Sequence, residues 1–377
     1  MAGGTVLAGF ENIFALAPRV PHFQNGFEGG NQIGVLEFTG ESAIPVDTLL
    51  GPELDGRLFS DLSKFGPANA FPSTEDFYVR TRASQMLEDE KRWTIRTGGL
   101  VEKSTTLAIE DLKKNAKGTG RHLMECSGNT RATRFGMLSV ADWSGVPIAT
   151  VLEMCKPARK ATQVVISGFD RYSAGSTTSI PGADWVFGLE QIKPSNAFLA
   201  TEMNGEPLTR DHGAPIRLVV PGWYGCTCIK WVNEIRFVDD AVEATSQMQE
   251  FAGRTHQQGK PRLARDFRPA TIDQAAMPVR VEKWLVDGKI KYRVAGILWG
   301  GSQLIRALEI RFNPEEDYVR VDSFSQATND PWSFWSHPWT PKAVGTYMIR
   351  LRVADPKVET KRLDSGHYVR SVEVKEI

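Results

Sequence analysis

The stretch with the clearest capacity for chemistry is residues 122–131, which read HLMECSGNTR. An apolar run ends at Cys126, and small and polar residues then lead to Arg131. This order is typical of a buried strand that ends in a turn and presents a thiol beside a fixed cation. A nearby guanidinium stabilises the thiolate, the form of cysteine that binds metals or attacks electrophiles. Taken alone, the same pattern is also compatible with an inert buried thiol.

Four further stretches carry charged residues, two of them together with glycine, in patterns that favour an anion or cofactor site. They are residues 78–82 (YVRTR), 167–170 (SGFD), 211–217 (DHGAPIR) and 228–230 (CIK). Each also has an ordinary interpretation, respectively a strand edge with solvated arginines, a loop, a turn with a capping aspartate, and buried thiols. An arginine such as Arg217 suits a phosphate, because its parallel N–H groups meet two oxygens at once.

Together these stretches resemble the sulfite oxidase family of molybdopterin-dependent oxidoreductases, in its haem-free bacterial form. The resemblance implies a molybdenum-molybdopterin cofactor whose metal is bound by Cys126. It also implies that Arg80 and Arg131 hold an anionic substrate and act with Cys126 in catalysis. The cofactor-binding residues that it implies are Tyr78, Val79, Arg80, Thr81, Arg82, Cys126, Asp170, His212, Arg217, Cys228, Ile229 and Lys230.

Several positions depart from the family pattern. Thr130 stands where the cysteine motif usually has an arginine, and Thr81 and Arg82 replace the usual Asn and His. The stretch 248–256 has no tyrosine at the place of the substrate-facing tyrosine of the relatives, and His256 is a candidate replacement. The resemblance is therefore stronger for cofactor binding than for substrate binding.

The elements that must position these motifs are mostly short strands. Buried strands are predicted at 121–126, 163–167, 198–203 and 216–220, with helices between some of them. After residue 277 several segments alternate apolar and polar residues, and Asp287-Gly288 is a strong hairpin signal. The fold class is therefore α+β: a mixed α/β molybdopterin-binding domain of the sulfite oxidase type, followed by an immunoglobulin-like β-sandwich.

The chain divides into five predicted parts. Residues 1–20 are a possible export-signal remnant, and residues 21–75 form an extended N-terminal arm rich in Gly, Pro and Asn. Residues 76–245 form the molybdopterin-binding catalytic domain. A polar connector covers 246–275, and a dimerisation-type sandwich covers 276–377.

Composition excludes several classes of protein. The chain has 377 residues, with 45 Lys+Arg and 45 Asp+Glu, so no overall field attracts nucleic acid. No apolar run approaches the ~18 residues that a membrane span requires. Four cysteines in a chain of this length form no disulfide framework, and their spacing favours neither a zinc finger nor a c-type haem.

The most favoured function is oxidation of sulfite to sulfate by two-electron oxo transfer, with electrons passed to an external acceptor such as cytochrome c. One alternative is the same cofactor acting on protein-bound sulfane sulfur, or reducing an S-oxide or an oxo-anion. The other is a non-redox binding protein of the same fold. We expect a periplasmic enzyme, or otherwise a cytoplasmic one, without haem and possibly forming a homodimer. The small-x-small pattern at 15–17 supports export.

Overall fold

The computed structural model describes residues 26–41, 47–49, 56–83, 87, 89–172, 183–324 and 331–377. The predicted export-signal remnant, residues 1–20, lies outside these ranges. Across the first half of the chain the elements are β1 (Asn31–Leu36), β2 (Phe38–Thr39), β3 (Asp47–Leu49), β4 (Gly56–Leu58), β5 (Thr94–Gly99), β6 (Thr105–Ala108), α1 (Ile109–Lys113), β7 (Lys117–Glu125), β8 (Leu138–Pro147), α2 (Ile148–Met154), β9 (Gln163–Gly168) and β10 (Asp184–Gly188).

The second half continues this order. Its elements are α3 (Leu189–Ile192), β11 (Phe198–Met203), β12 (Glu206–Pro207), β13 (Arg217–Val219), β14 (Val232–Val238), α4 (Ser246–Phe251), β15 (Ala275–Val286), β16 (Lys289–Trp299), β17 (Leu308–Arg311), β18 (Val319–Arg320), β19 (Ser323–Phe324), β20 (Trp332–Trp339), β21 (Gly345–Val353), α5 (Lys361–Asp364) and β22 (Arg370–Val374). Short 3₁₀ turns join several of them.

Two sheets build the predicted molybdopterin-binding domain. One has the order β10-β9-β14-β5-β6, in which β14 runs parallel to β5 and the other pairs are antiparallel. The other has the order β12-β11-β8-β7, with β13 beside β11. Strand β7 ends at Glu125, so the chain leaves this sheet directly before Cys126. The α+β character that the sequence predicts is therefore confirmed for this half of the chain.

The C-terminal part is built from two five-stranded antiparallel sheets, β1-β15-β16-β20-β19 and β18-β17-β21-β22-β2. Aromatic rings connect the two sheets: Trp339 of β20 lies edge-on to Tyr347 of β21, with ring centroids 4.9 Å apart. The same indole stacks on Phe312 at 4.5 Å. The predicted hairpin is confirmed, since Asp287 and Gly288 both adopt positive φ between β15 and β16. Immunoglobulin-like topology stays a prediction.

The N-terminal arm contacts the C-terminal part of the molecule. Its strands β1 and β2 complete the edges of the two C-terminal sheets by pairing with β15 and β22. Further along the arm, Arg280 of the C-terminal part donates to the carbonyl of Ser63 at 2.5 Å, and Trp332 Nε1 donates to that of Ala70 at 2.8 Å. Because strand pairing depends on residues far apart in sequence, local composition showed only an irregular arm.

The stretch around Tyr78 differs from the expected strand. Val79 forms a single antiparallel bridge with Leu58, and no longer ladder includes residues 77–80. The buried rings of Phe77 and Tyr78 stack at 5.3 Å instead, so aromatic packing places this segment. In the described part of the chain, no helix is both long enough and apolar enough to cross a membrane.

Close packing inside the sandwich generates a test of the fold. A Cβ added to Gly296 of β16 would overlap the indole ring of Trp335 and the carbonyl oxygen of Met277. We expect Gly296→Ala to lower the free energy of unfolding by about 1–3 kcal/mol, the usual effect of overfilling a packed core. Gly118→Ala is the matched control, because nothing lies within 4 Å of the added atom. Chemical denaturation of both variants checks the prediction, and equal midpoints would contradict it.

Candidate active site

The turn after β7 presents Cys126 to a cavity. The Cys126 amide donates to Met137 O at 2.9 Å, and the Asn129 amide donates back to Cys126 O at 2.9 Å. The Gly128 amide points at the sulfur, with N and Sγ 3.4 Å apart. Cys126 is only 8% exposed, yet it lines the cavity wall. The turn therefore presents the sulfur to the cavity with a backbone amide directed at it, which suits a reactive or metal-binding cysteine.

The cavity has about 860 Å³ free of protein atoms, part of it open to solvent. It brings together most of the residues that the sequence singled out. Those in its lining are Tyr78, Val79, Arg80, Thr81, Cys126, Asp170, His212, Arg217, Cys228, Ile229 and Lys230. Segments separated by up to 150 residues in the chain therefore meet at one place, which isolated motifs cannot show.

The loop from Asp211 to Arg217 forms part of the cavity wall. Gly213 adopts a φ of +108°, and this left-handed conformation lets the loop turn against the side chains of Arg217 and Lys230. Arg217 is 5% exposed and donates to His212 O at 3.0 Å and, more weakly, to Cys228 O at 3.4 Å. Arg217 Nε has no hydrogen-bond partner among the described residues.

His212 is held as a neutral imidazole. Its Nδ1 lies 2.7 Å from the Thr209 hydroxyl and its Nε2 lies 3.2 Å from Phe77 O, so Nε2 carries the proton and Nδ1 accepts one. Burial lowers the pKa of His212 to about 4. Both ring nitrogens are occupied by protein groups, so His212 shapes the cavity wall and its backbone carbonyl anchors Arg217.

Lys230 and Asp170 place opposite charges on the same wall. Lys230 Nζ donates to Asp211 O at 2.8 Å and also to Thr81 O. Burial and, next, the charge of Arg217 lower the pKa of Lys230, while burial raises the pKa of Asp170. Asp170 Oδ1 has no hydrogen-bond partner among the described residues. Burying such groups is costly unless a ligand or water completes their hydrogen bonds.

Two predicted arginines lie outside the cavity lining. Arg82 stands 3.7 Å from Asp211 Oδ2 at a half-exposed position. The Arg131 guanidinium is exposed and donates to Val369 O at 2.6 Å, so it points to the C-terminal part. The geometry therefore does not bring Arg131 beside the cavity with Arg80, and its substrate role stays a prediction.

The connector supplies residues that no motif indicated. Helix α4 begins after Thr245, whose side chain caps the amide of Met248, and it carries Gln247 and Phe251 into the cavity lining. The next turn brings Arg254 beside the thiol turn: a Cβ on Gly128 would lie 3.6 Å from Arg254 Nη1 and 3.8 Å from Cys126 Sγ. Nothing in the local sequence around 247–254 marks these residues, because their role depends on how the connector folds back.

The proposed substitute for the missing tyrosine lies elsewhere. His256 Nε2 stands 3.1 Å from Asp273 Oδ2, and His256 is not part of the cavity lining.

Comparison with known proteins assigns part of the chain to a domain family. Residues 83–246 match the oxidoreductase molybdopterin binding domain. The chain is similar to the NADPH nitrate reductase of Beauveria bassiana, at 28% identity over 66% of this chain and 33% of that protein. It is also similar to mitochondrial sulfite oxidase of Rattus norvegicus, at 28% identity over 40% of this chain and 30% of that enzyme. Residues 83–246 therefore form a molybdopterin-binding oxidoreductase domain, and the proteins that resemble this chain include sulfite oxidase.

The fold of the chain is also found in a solved structure. The sulfane dehydrogenase SoxCD of Paracoccus pantotrophus matches 95% of this chain and 89% of its own chain, with a TM-score of 0.64 and 18% identity. At that identity the likeness concerns the fold. The chain spans about a third or less of the nitrate reductases that it resembles.

The cavity fits the cofactor that the matched domain binds. A molybdopterin carries a phosphate and a ring system with hydrogen-bond donors and acceptors. The wall offers buried cationic groups at Arg217 and Lys230, an unpaired donor at Arg217 Nε and an unpaired acceptor at Asp170 Oδ1. These are the protein groups whose hydrogen bonds and charges an anionic, heterocyclic ligand would complete.

The buried neutral His212 predicts a pH dependence of stability. The unfolded imidazole takes up a proton near its ordinary pKa of 6.5, whereas the folded one does so only near 4. The unfolded state therefore binds more protons between these values, and stability falls as the pH drops from 6.5 towards 4. By pH 5 this loss amounts to about 2 kcal/mol.

Denaturant unfolding of wild type and His212→Gln between pH 7 and 4.5 measures the effect. We expect a shallower decline of stability in the variant, because glutamine has no proton to gain. Parallel declines would show that His212 does not titrate in this way.

Proposed function

We propose that this chain oxidises sulfite to sulfate by molybdenum-dependent, two-electron oxo transfer and passes the electrons to an external acceptor such as cytochrome c. The observation that carries the proposal is the convergence of Cys126, Arg80, Arg217 and Lys230 on one cavity. The family assignment supports the cofactor, and the sulfur substrate of sulfite oxidase supports the reaction.

Residues of the cavity wall would bind the pterin with its phosphate, and Cys126 would bind the metal. Arg217 and Lys230 suit its phosphate, Asp170 suits a ring donor, and the backbone of Cys228 and Ile229 lies beside them. The Cys126 thiolate would ligate the molybdenum. When bound, the molybdenum centre supplies two-electron oxo transfer. The protein contributes ligation, orientation and an electrostatic field.

Cations near Cys126 would bind the substrate. Arg80 lines the cavity, and Arg254 lies beside Gly128 next to the sulfur. The guanidinium of Arg254 also lies over the Phe251 ring, 5.4 Å from its centroid, which limits its orientations. Overall, sulfite and water yield sulfate, two protons and two electrons. Prearranged cations lower the energy of the oxyanion and of the charge that develops on its oxygens.

The electron route and the cellular setting are also proposals. Two electrons must leave one at a time for a one-electron acceptor, so an external cytochrome c is a suitable partner. A haem-free chain, a periplasmic location and a homodimer formed by the C-terminal sandwich stay predictions from the sequence.

Removal of the thiol tests the metal ligand. We expect Cys126→Ala to abolish sulfite-dependent reduction of cytochrome c, because the metal loses its protein ligand, while the pterin remains largely bound through the cavity wall. Activity together with molybdenum and pterin content measures this. Cys155→Ala is the control: that thiol is buried elsewhere, and burial raises its pKa to about 11. Wild-type turnover by Cys126→Ala would contradict the assignment.

Neutralising Arg80 tests anion binding. We expect Arg80→Gln to raise KM for sulfite by about tenfold to a hundredfold, the usual cost of losing a charge-assisted hydrogen bond, with normal molybdenum loading. Arg82→Gln is the matched control, since Arg82 lies two residues away but outside the lining. An unchanged KM in Arg80→Gln, or an equal rise in both variants, would remove Arg80 from the substrate site.

A second candidate is the same cofactor acting on another substrate, either by oxidation of sulfane sulfur or by reduction of an oxo-anion or an S-oxide. The residues expected to bind substrate favour this candidate. The connector lacks the expected tyrosine, the Arg131 guanidinium is directed to Val369 and not to the cavity, and Arg254 approaches the thiol turn instead. The nitrate reductase relatives support an oxo-anion. Steady-state assays with sulfite, thiosulfate, nitrate and methionine sulfoxide decide between the two candidates.

A further inference from the structure

Glu125, the residue directly before Cys126, carries a carboxylate with no exposed surface. Three of its neighbours come from the C-terminal part. Trp299 Nε1 donates to Oε2 at 2.9 Å, Tyr368 donates its hydroxyl proton to Oε1 at 3.0 Å, and Arg362 Nη1 lies 3.7 Å from Oε1. A buried charge is tolerated only when it is paired and hydrogen-bonded, so the two halves of the molecule depend on each other here.

Arg362 of α5 also reaches the backbone of two segments near the thiol. Its Nη2 donates to Ser127 O at 3.0 Å and to Arg254 O at 3.1 Å. Its guanidinium lies over the ring of Tyr224, 4.5 Å from the centroid. One side chain therefore joins the turn that bears Cys126 to the connector segment that carries Arg254.

Two more contacts link the same turn to the C-terminal part. His367 Nε2 lies 3.0 Å from Asn129 O, and Arg131 donates to Val369 O at 2.6 Å. These contacts give Arg131 an observed position that the sequence did not predict. Residues 362–369 therefore contact the turn of residues 126–131 at Ser127, Asn129 and Arg131.

We propose that the C-terminal part completes the thiol site, with Arg362 and Glu125 as positioning residues for Cys126 and Arg254. Neither side chain is in the lining of the cavity, so they act through the turn and the connector. The proposal rests on the proposed function only where Cys126 is taken as the metal ligand. In this arrangement the C-terminal part sets the positions of the Cys126 sulfur and of the Arg254 guanidinium.

A contact between the two halves that does not touch the thiol turn would not position Cys126. Arg280 provides such a contact for comparison. Arg280 is also an arginine of the C-terminal part that pairs with a buried glutamate, Glu282, at 2.8 Å. It likewise donates to a backbone carbonyl of the preceding half, that of Ser63. Arg280 makes no contact with the turn of residues 126–131 among its recorded hydrogen bonds and ion pairs.

Hydrogen exchange of the full chain, with and without cofactor, tests the proposal. In Arg362→Met we expect the amides of Gly128 and Asn129 to exchange about tenfold faster than in wild type, because local opening of the turn becomes easier. In Arg280→Met these amides should change less than about twofold. Equal rates in the two variants would overturn the proposal.

Arg362→Lys covers the case in which the methionine variant does not fold. A lysine keeps a charge near Glu125, but its single nitrogen cannot occupy both the place of Nη1 beside Glu125 and the place of Nη2 at the two carbonyls, so an intermediate acceleration is expected. If the Gly128 and Asn129 amides of Arg362→Lys exchanged at the wild-type rate, the guanidinium would not be needed to hold the turn.

Absorption of the loaded protein supplies a second readout. We expect the thiolate-to-molybdenum band to shift in Arg362→Met and Arg362→Lys but not in Arg280→Met. If the band did not shift in either Arg362 variant, the proposal that Arg362 positions the Cys126 sulfur would be overturned. If Cys126→Ala keeps the wild-type band, the proposed metal ligand is wrong, whereas the exchange comparison still decides whether Arg362 positions the turn.

Discussion

The site depends on the burial of one carboxylate beside the thiol. Glu125 has no exposed surface, and its compensating donors Trp299 and Tyr368 lie more than 170 residues away in the chain. A buried carboxylate without partners would cost several kcal/mol, so the turn at Cys126 takes its observed form only with the C-terminal part in place. Cofactor binding and the folding of the sandwich are therefore linked through this residue.

The cavity wall holds two buried cationic side chains close together. Arg217 and Lys230 are close enough for each to oppose the other's charge, and burial lowers the pKa of both. Backbone carbonyls of His212, Asp211 and Thr81 offset part of this cost. The remainder is relieved by an anionic ligand, which is why such a wall is better suited to a phosphate-bearing cofactor than to a neutral one.

Much of this site could be predicted from short segments. Cys126, His212 and Lys230 lie in contiguous motifs whose residue order reflects a local strand, turn or loop, and the structure places them in the same cavity. The alternation of β15 and β16 and the turn at Asp287 are likewise local properties. The conformation of the segment around Tyr78 was harder to predict, because it forms only a single bridge at Val79 and its rings of Phe77 and Tyr78 stack on each other.

Other features could not be predicted from local patterns. Arg131 follows the cysteine closely, yet its guanidinium is directed to Val369, whereas Arg254, over a hundred residues away, approaches the thiol turn. The sequence by itself determined the chemical groups, their local turns and the family of the cofactor. Only the tertiary structure decided which cation approaches the thiol turn and which residues of the C-terminal part contact that turn. The physical reason is that side-chain direction and buried-charge compensation are set by contacts between segments far apart in the chain.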